Sequence, residues 1–122
     1  MQNNRKVGEA QETRAVFELE KLGYKILEKN FRCKVGEIDI IAETDKYIVF
    51  VEVKTRNAGA VVSGVEATDA YKQRRIMLTA QDFMRRSHTD LCPRFDLAEV
   101  TVTETEDSRV KYSLNYIENA II

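Results

Sequence analysis

Three residues suited to chemistry at a phosphate group lie close together in the middle of the chain. Asp39 stands within a run of β-branched residues, and Glu52 and Lys54 stand two apart in a second such run. Carboxylates are ligands that Mg²⁺ and Mn²⁺ prefer. A neighbouring lysine can orient a water molecule or stabilise negative charge on a phosphate. This combination is typical of metal-assisted phosphodiester hydrolysis.

The two runs predict a β-hairpin closed by a two-residue turn at Asp45 and Lys46, with Thr44 opposite Tyr47. One face of this hairpin is then fully apolar, as a core requires. Its pairs are Ile38 with Val53, Ile40 with Val51, and Ala42 with Val49. A slip of one residue would destroy that match, so the register is strongly specified.

On the opposite face this register places Asp39 against Glu52 with their Cβ atoms ~5 Å apart, which is unfavourable for two negative charges. A divalent cation, Mg²⁺ or Mn²⁺, shared by the two carboxylates would compensate. Lys54 lies on the same face, ~7 Å further along the strand, within reach of a phosphate beside the cation. Glu12 lies on the apolar stripe of the first predicted helix, where a carboxylate is costly without a partner, so it is a candidate third ligand.

Each of these residues also has a structural explanation. A Glu-x-Lys pair on a strand usually belongs to a solvated face, and Asp39 could be protonated or turned into water. Glu37 would face Lys54 and could form an ordinary cross-strand ion pair with it, and Glu12 could reach solvent. The conjunction favours the site, because all the strand residues share one face in the register that buries the other.

The elements that must position these residues follow from hydrophobic periodicity and turn residues. They are a helix ending at Gly23, strands at 24–33, 36–42 and 47–54, a helix at about 66–86, and strands at 95–103 and 110–117. Residues 57–65 predict a flexible loop, and Pro93 marks a junction. The order α-β-β-β-α-β-β in 122 residues predicts a single α/β domain, residues 1–122, with a mixed sheet flanked by helices.

Both helices carry apolar stripes that predict their inner faces. The stripe of the first helix is Gly8, Glu12, Ala15, Val16, Leu19 and Leu22. That of the second is Ala70, Gln73, Met77, Ala80 and Met84, with Ile76 and Phe83 beside them.

The charge pattern is uneven although the net charge is only −1, which excludes nucleic-acid binding by overall charge. Residues 37–56 hold five acidic and three basic side chains, whereas 1–36 and 72–94 are net basic. An acidic centre between basic flanks suits a metal site approached by a phosphate backbone, although a mixed solvated surface has the same composition. No apolar stretch suits a membrane span or a signal segment, so we expect a cytoplasmic protein.

Candidate phosphate contacts follow the acidic centre along the chain. Lys72, Arg74 and Arg75 on the second helix, and Arg56 before the loop, are suited to a nucleic-acid backbone. Gln73 is predicted to face inward, towards the site or as a hydrogen-bonded core residue.

The remaining polar candidates have simpler interpretations. Asp96 is expected to pair with Arg94 or cap a strand rather than bind metal, and His88 is expected in solvent. Cys33 and Cys92 lack the spacing of a zinc site or a disulfide framework.

The hairpin motifs resemble the PD-(D/E)xK nuclease superfamily, and the whole chain is similar to the YraN-like family of small bacterial proteins. The signature comprises residues 36–42 (Gly-Glu-Ile-Asp-Ile-Ile-Ala) and 49–56 (Val-Phe-Val-Glu-Val-Lys-Thr-Arg). Further matches are Gly8 and Glu12, Gly23 and Tyr24, and residues 72–76, 94–96 and 117–120.

This resemblance implies a restriction-endonuclease-like core, similar to that of Holliday-junction resolvases, acting on DNA with Mg²⁺ or Mn²⁺. It also implies that Asp39 and Glu52 bind metal, that Lys54 is the catalytic lysine and that Glu12 is the helix-borne acid. Gln11 replaces the usual glycine before that acid, which leaves Glu9 as an alternative. A four-way-junction substrate would require two active sites and hence a homodimer. The competing hypotheses are a module of this fold that binds nucleic acid or protein without cutting, and a structural adaptor.

Overall fold

A computed structural model describes residues 4–57 and 70–120. Their elements are α1 (Asn4–Lys21), β1 (Lys25–Cys33), β2 (Gly36–Glu43), β3 (Tyr47–Asn57), α2 (Ala70–Ser87), β4 (Cys92–Glu104) and β5 (Val110–Ile117). The predicted order α-β-β-β-α-β-β is confirmed. The predicted loop and the first residues of the second predicted helix fall largely within 58–69, outside the described residues. Pro93 lies within β4 beside Ile48 rather than at a junction, which a proline tolerates near the start of a strand.

The five strands form one mixed sheet in the order β1-β2-β3-β4-β5. Strands β3 and β4 are parallel, and the other neighbouring pairs are antiparallel. Parallel neighbours need a crossover connection, and α2 lies in the segment between β3 and β4. The strand that carries Glu52 and Lys54 is therefore the middle strand of the sheet.

The two helices cover opposite faces of the sheet. Ala15 and Leu19 of α1 pack in one cluster, whereas Ile76 and Ala80 of α2 pack in the other. The α1 cluster also contains Ile40, Val49, Val51 and Ala98, and the α2 cluster contains Phe31, Ile38, Ile41, Ile48, Phe50 and Leu97. Strand neighbours such as Val49 and Phe50 thus point to opposite layers, as the period of two requires.

Helix α1 ends just before Gly23, as the sequence predicted. Gly23 has φ +92°, a left-handed conformation that suits glycine, and the Tyr24 amide donates to the Leu19 carbonyl at 3.1 Å. The prediction that Leu22 lies on the inner face of the helix is wrong, because the helix ends at Lys21 and the Leu22 side chain is 63% exposed. The stripe therefore stops one turn earlier than its periodicity indicated.

The buried face of α2 also differs from the predicted stripe. Ile76, Thr79 and Ala80 are buried, whereas Met77 is 40% exposed. Thr79 on this face lies against the β1–β2 turn, since a Cβ built on Gly36 would lie 2.9 Å from Thr79 Oγ1. This contact seats the turn against α2.

The β2–β3 hairpin has the predicted register. The Thr44 amide donates to the Tyr47 carbonyl at 2.9 Å, and Ile40 pairs with Val51. The prediction that Ile38 shares one face with Ile40 is wrong. The Ile38 side chain packs on the α2 face, whereas Ile40 packs on the α1 face. Asn30, in the adjoining part of β1, has φ +54°, so the regular alternation fails on both strands at this level.

Neither helix in the described parts of the chain combines the length and the apolar character that crossing a bilayer requires.

Candidate active site

Asp39 occupies the point at which the β2–β3 ladder stops. The pairing of the two strands runs from Glu43 with Ile48 to Ile40 with Val51. Beyond it, Asp39 Oδ2 accepts a hydrogen bond from the Val53 amide at 2.8 Å. A continued ladder would have used a main-chain carbonyl for that amide. The break in the strand therefore fixes the Asp39 carboxylate against the backbone of β3.

The Asp39 carboxyl is electrostatically unfavourable in its charged form. Burial raises its pKa most, the Glu52 carboxylate raises it further, and Glu12 and Glu37 add smaller contributions. The hydrogen bond from Val53 opposes these effects, and the pKa rises from 3.8 to about 7. The predicted repulsion between Asp39 and Glu52 is thus present in the folded chain, and a bound cation would relieve it.

Glu52 is half-buried and is paired with a lysine from the first turn of α2. Lys72 Nζ lies 3.2 Å from Glu52 Oε1. Burial lowers the pKa of Lys72, but its hydrogen bonds with Lys54 and Glu52 and the nearby negative charges outweigh this effect, so the pKa is raised overall. Lys72, predicted as a phosphate contact, therefore lies inside the site and holds one of its two central carboxylates.

Lys54 completes this group of charged side chains. Its hydrogen bond with Lys72 and its partial burial lower the pKa of Lys54. The ion pair with Glu37 that the register allowed does not form, because Glu37 Oε2 pairs with Arg32 Nε at 2.8 Å. The parallel register also places Glu99 of β4 beside Lys54, an acid that no sequence pattern indicated. Lys54 thus lies in contact with Lys72 and beside the Glu52 carboxylate.

Helix α1 contributes a third acid at longer range. Glu12 is half-buried, and its charge raises the pKa of Asp39. Gln11 beside it is buried, and its Oε1 has no hydrogen-bond partner among the described residues. Glu9, the alternative acid, is not among the residues whose side chains the structure describes. Within residues 4–57 and 70–120, no three acidic, histidine or cysteine side chains group closely enough to hold a metal ion.

A cleft of about 480 Å³ opens beside this group of residues. Its lining includes Glu52 and Lys72 as well as Arg75. The other predicted phosphate contacts are less uniform. Arg74 is exposed, Gln73 is half-buried, and Arg56 is half-buried with an Nε that lacks a hydrogen-bond partner among the described residues. Of the predicted contacts, Lys72 and Arg75 face the cleft directly.

A second polar cluster lies on the α1 face of β4, away from the cleft. Asp96 is fully buried and accepts from Arg94 Nε at 3.1 Å, which confirms the predicted pairing. Tyr116 donates to Asp96 Oδ2, the Asn119 amide donates to Oδ1 at 3.0 Å, and Arg94 donates to the Tyr24 hydroxyl. Burial and the Asp96 carboxylate raise the pKa of Tyr116. This cluster ties the end of β5 to β4, and only its Arg-x-Asp pair was visible in the sequence.

The fold and site together define a small α/β protein with two carboxylates and a lysine gathered at one end of a central hairpin. The profile of the uncharacterised protein family UPF0102 matches residues 11–100, and the chain belongs to that family. This confirms the similarity of the whole chain to the YraN-like family.

Several relatives share nearly the full length of the chain. A UPF0102 protein of Caldicellulosiruptor saccharolyticus is 42% identical over 119 residues, covering 97% of this chain and 98% of the relative. The UPF0102 protein TTE1452 of Caldanaerobacter subterraneus subsp. tengcongensis is 44% identical, covering 97% and 96%. A UPF0102 protein of Clostridium botulinum (strain Kyoto) is 44% identical, covering 96% and 94%.

Proposed function

We propose that this protein is a metal-dependent endonuclease that hydrolyses phosphodiester bonds in DNA, with branched or otherwise structured DNA as the candidate substrate. The observation that carries the proposal is the gathering of Asp39, Glu52 and Lys54 at the end of the β2–β3 ladder, where the Asp39 carboxyl has its pKa raised to about 7. Structural ion pairs also shift pKa values, but a core gains nothing from carboxylates that repel each other.

The chemistry of two carboxylates, rather than a closed group of three ligands among the described residues, supports a hard divalent cation here. Asp39 and Glu52 supply carboxylate oxygens of the kind that Mg²⁺ and Mn²⁺ take, and Glu12 adds negative charge nearby. When bound, such a cation neutralises phosphate charge and makes a coordinated water more acidic. Asp39 and Glu52 would hold it, and the Lys72 ammonium would then give up part of its contact with Glu52.

The lysines act on the phosphate and on the attacking water. Lys54 is placed to orient the water or to stabilise the charge that develops on the phosphate oxygens. Lys72 lies in contact with Lys54 and Glu52, so it can pass from the carboxylate to a phosphate oxygen as substrate enters. Arg75, further along the same cleft, would hold the backbone in place.

A panel of labelled DNA tests this proposal. Single-stranded, duplex, flapped and four-way-junction DNA are incubated with Mg²⁺ or Mn²⁺ and the wild type, Lys54→Ala or Lys46→Ala. Lys46 lies exposed in the β2–β3 turn and is the matched control. We expect metal-dependent cleavage that is lost in Lys54→Ala and retained in Lys46→Ala. Preference for the four-way junction would also predict a homodimer, measurable by light scattering.

A second function has one specific observation in its favour. The 3.2 Å pair between Lys72 and Glu52 partly neutralises the acidic group from within the chain, as a module that binds nucleic acid or protein without cutting would require. Salt-sensitive DNA binding without cleavage in either metal would establish this function and overturn the nuclease proposal.

A further inference from the structure

Two neighbouring clefts, together called the groove below, lie along α2 from the candidate site. The cleft that contains Glu52 shares Cys33 and Lys34 with a second cleft of about 420 Å³, which extends to Arg85 and Arg86 near the end of the helix. One wall is α2 and the other is the β1–β2 turn, held against the helix by the Gly36–Thr79 contact. The groove therefore begins beside the Glu52 carboxylate.

Positive charge exceeds negative charge along this groove. Its basic side chains among the described residues are Arg32, Lys34, Lys72, Arg75, Arg85 and Arg86. Each acid in the lining already has a basic partner: Glu37 has Arg32, Glu52 has Lys72, and Asp82 has Arg85 and Arg86. Lys34 and Arg75 have no carboxylate partner among the described residues, so they remain for an external anion. A chain of phosphates fits this excess of positive charge.

The mouth of the groove carries an exposed aromatic ring. Tyr71 is 72% exposed on the first turn of α2, next to Lys72, and the Arg75 guanidinium lies 5.7 Å from the centre of its ring. Arg75 Nε also donates to the Val35 carbonyl at 3.0 Å, which anchors this arginine across the groove. Val35 and Leu78 add exposed apolar surface. An exposed ring beside cations is a platform on which an unpaired base stacks, whereas bases inside a duplex are already stacked.

We infer that this groove binds an unpaired nucleic-acid strand, with Tyr71 stacking on a base and Lys34 and Arg75 contacting its phosphates. The inference rests on the proposed function, because it assigns the strand that leads to the candidate site. It places specificity in strand structure rather than in base sequence, since every base has a face that can stack.

Binding in the presence of a chelator tests the inference without cleavage. Fluorescence anisotropy is measured with a short labelled single strand, its blunt duplex, and the same strand with abasic sites at its centre. The wild type is expected to bind the single strand more tightly than the duplex. Tyr71→Ala is expected to weaken single-strand binding roughly 5- to 150-fold, the range for loss of one stacked base. Tyr71→Phe is expected to bind like the wild type, because it keeps the ring.

Two comparisons separate stacking from a general effect on the protein. Tyr112→Ala removes another exposed tyrosine, on β5 over Arg14 and away from the groove, and is expected to change nothing. On the abasic strand, Tyr71→Ala and the wild type are expected to bind equally. Lys34→Ala should weaken binding to every strand. It should also make the dependence of the binding constant on salt concentration shallower, by about one released counterion.

The failures of the two proposals are distinguishable. Tighter binding to the duplex, or no effect of Tyr71→Ala on the single strand, would overturn this inference while leaving metal-dependent cleavage to be judged by Lys54→Ala. Single-strand binding that depends on Tyr71, without cleavage in any metal, would support the groove and overturn the nuclease proposal.

Discussion

Replacing Asp39 by asparagine should make the metal-free protein more stable at alkaline pH. The substitution removes the charge but keeps an oxygen that can accept the Val53 hydrogen bond. The pKa of Asp39 rises from 3.8 to about 7 on folding, so the folded chain holds this proton more tightly than the unfolded chain. The contribution of the Asp39 carboxyl to the free energy of unfolding is therefore fully present below pH 3.8, and it is lost as the pH rises towards 7.

The gain in stability expected for Asp39→Asn follows from the change in the pKa of Asp39 on folding. A difference from 3.8 to about 7 corresponds to roughly 4 kcal/mol, at about 1.4 kcal/mol for each tenfold change in proton affinity. Relaxation around Glu52 reduces it, so we expect Asp39→Asn to raise the free energy of unfolding by roughly 2–4 kcal/mol at pH 8 and by much less at pH 4.

Urea unfolding followed by circular dichroism, with chelator present, measures this difference at the two pH values. Asp90→Asn, at an exposed position before β4, is the matched control and should change stability equally little at both. An Asp39→Asn protein that is destabilised at pH 8, or that shows the same change at pH 4 and pH 8, would refute the assignment of repulsion to this carboxyl.

Three further predictions concern the metal, the buried ion pair and the β1–β2 turn. Mn²⁺ at a hundred times its dissociation constant should stabilise the wild type by about 2.7 kcal/mol, and Asp39→Asn should lose this gain; a thermal shift equal in both would place the metal elsewhere. Asp96→Ala leaves the buried Arg94 with the exposed Glu118 carboxylate, 3.7 Å away, in place of its buried partner and should cost about 3–5 kcal/mol in urea unfolding; a cost under about 1 kcal/mol would contradict the buried pairing. Gly36→Ala brings a Cβ to 2.9 Å from Thr79 Oγ1 and should cost roughly 1–3 kcal/mol. That cost should shrink in a Thr79→Ala background, and an equal cost in both backgrounds would show that the contact is not responsible.

The hairpin shows how far the sequence alone leads. The two-residue turn and the pairing of Ile40 with Val51 were predictable, because one register buries a complete apolar face. The order of the elements was predictable for a similar reason, since periodicities of two and of three to four residues alternate clearly along the chain. The same register brought Asp39 and Glu52 together as candidates.

The break at Asp39 was not predictable from the same pattern. Ile38 crosses to the α2 face, and the only local signal is Asn30, a residue type that tolerates a positive φ. The position of Lys72 against Glu52 depends on how α2 rotates when Thr79 meets Gly36. Such contacts between distant elements leave no period in the sequence.

Single-turnover cleavage of the preferred DNA by Asp39→Asn in saturating Mn²⁺ tests the central claim most directly. Metal binding through Asp39 predicts a rate lower than that of the wild type by about a hundredfold or more, in a protein that unfolding shows to be the more stable of the two at pH 8. Because the variant is expected to be more stable, unfolding could not account for the loss. Cleavage at the wild-type rate would contradict the claim that this carboxylate serves the metal.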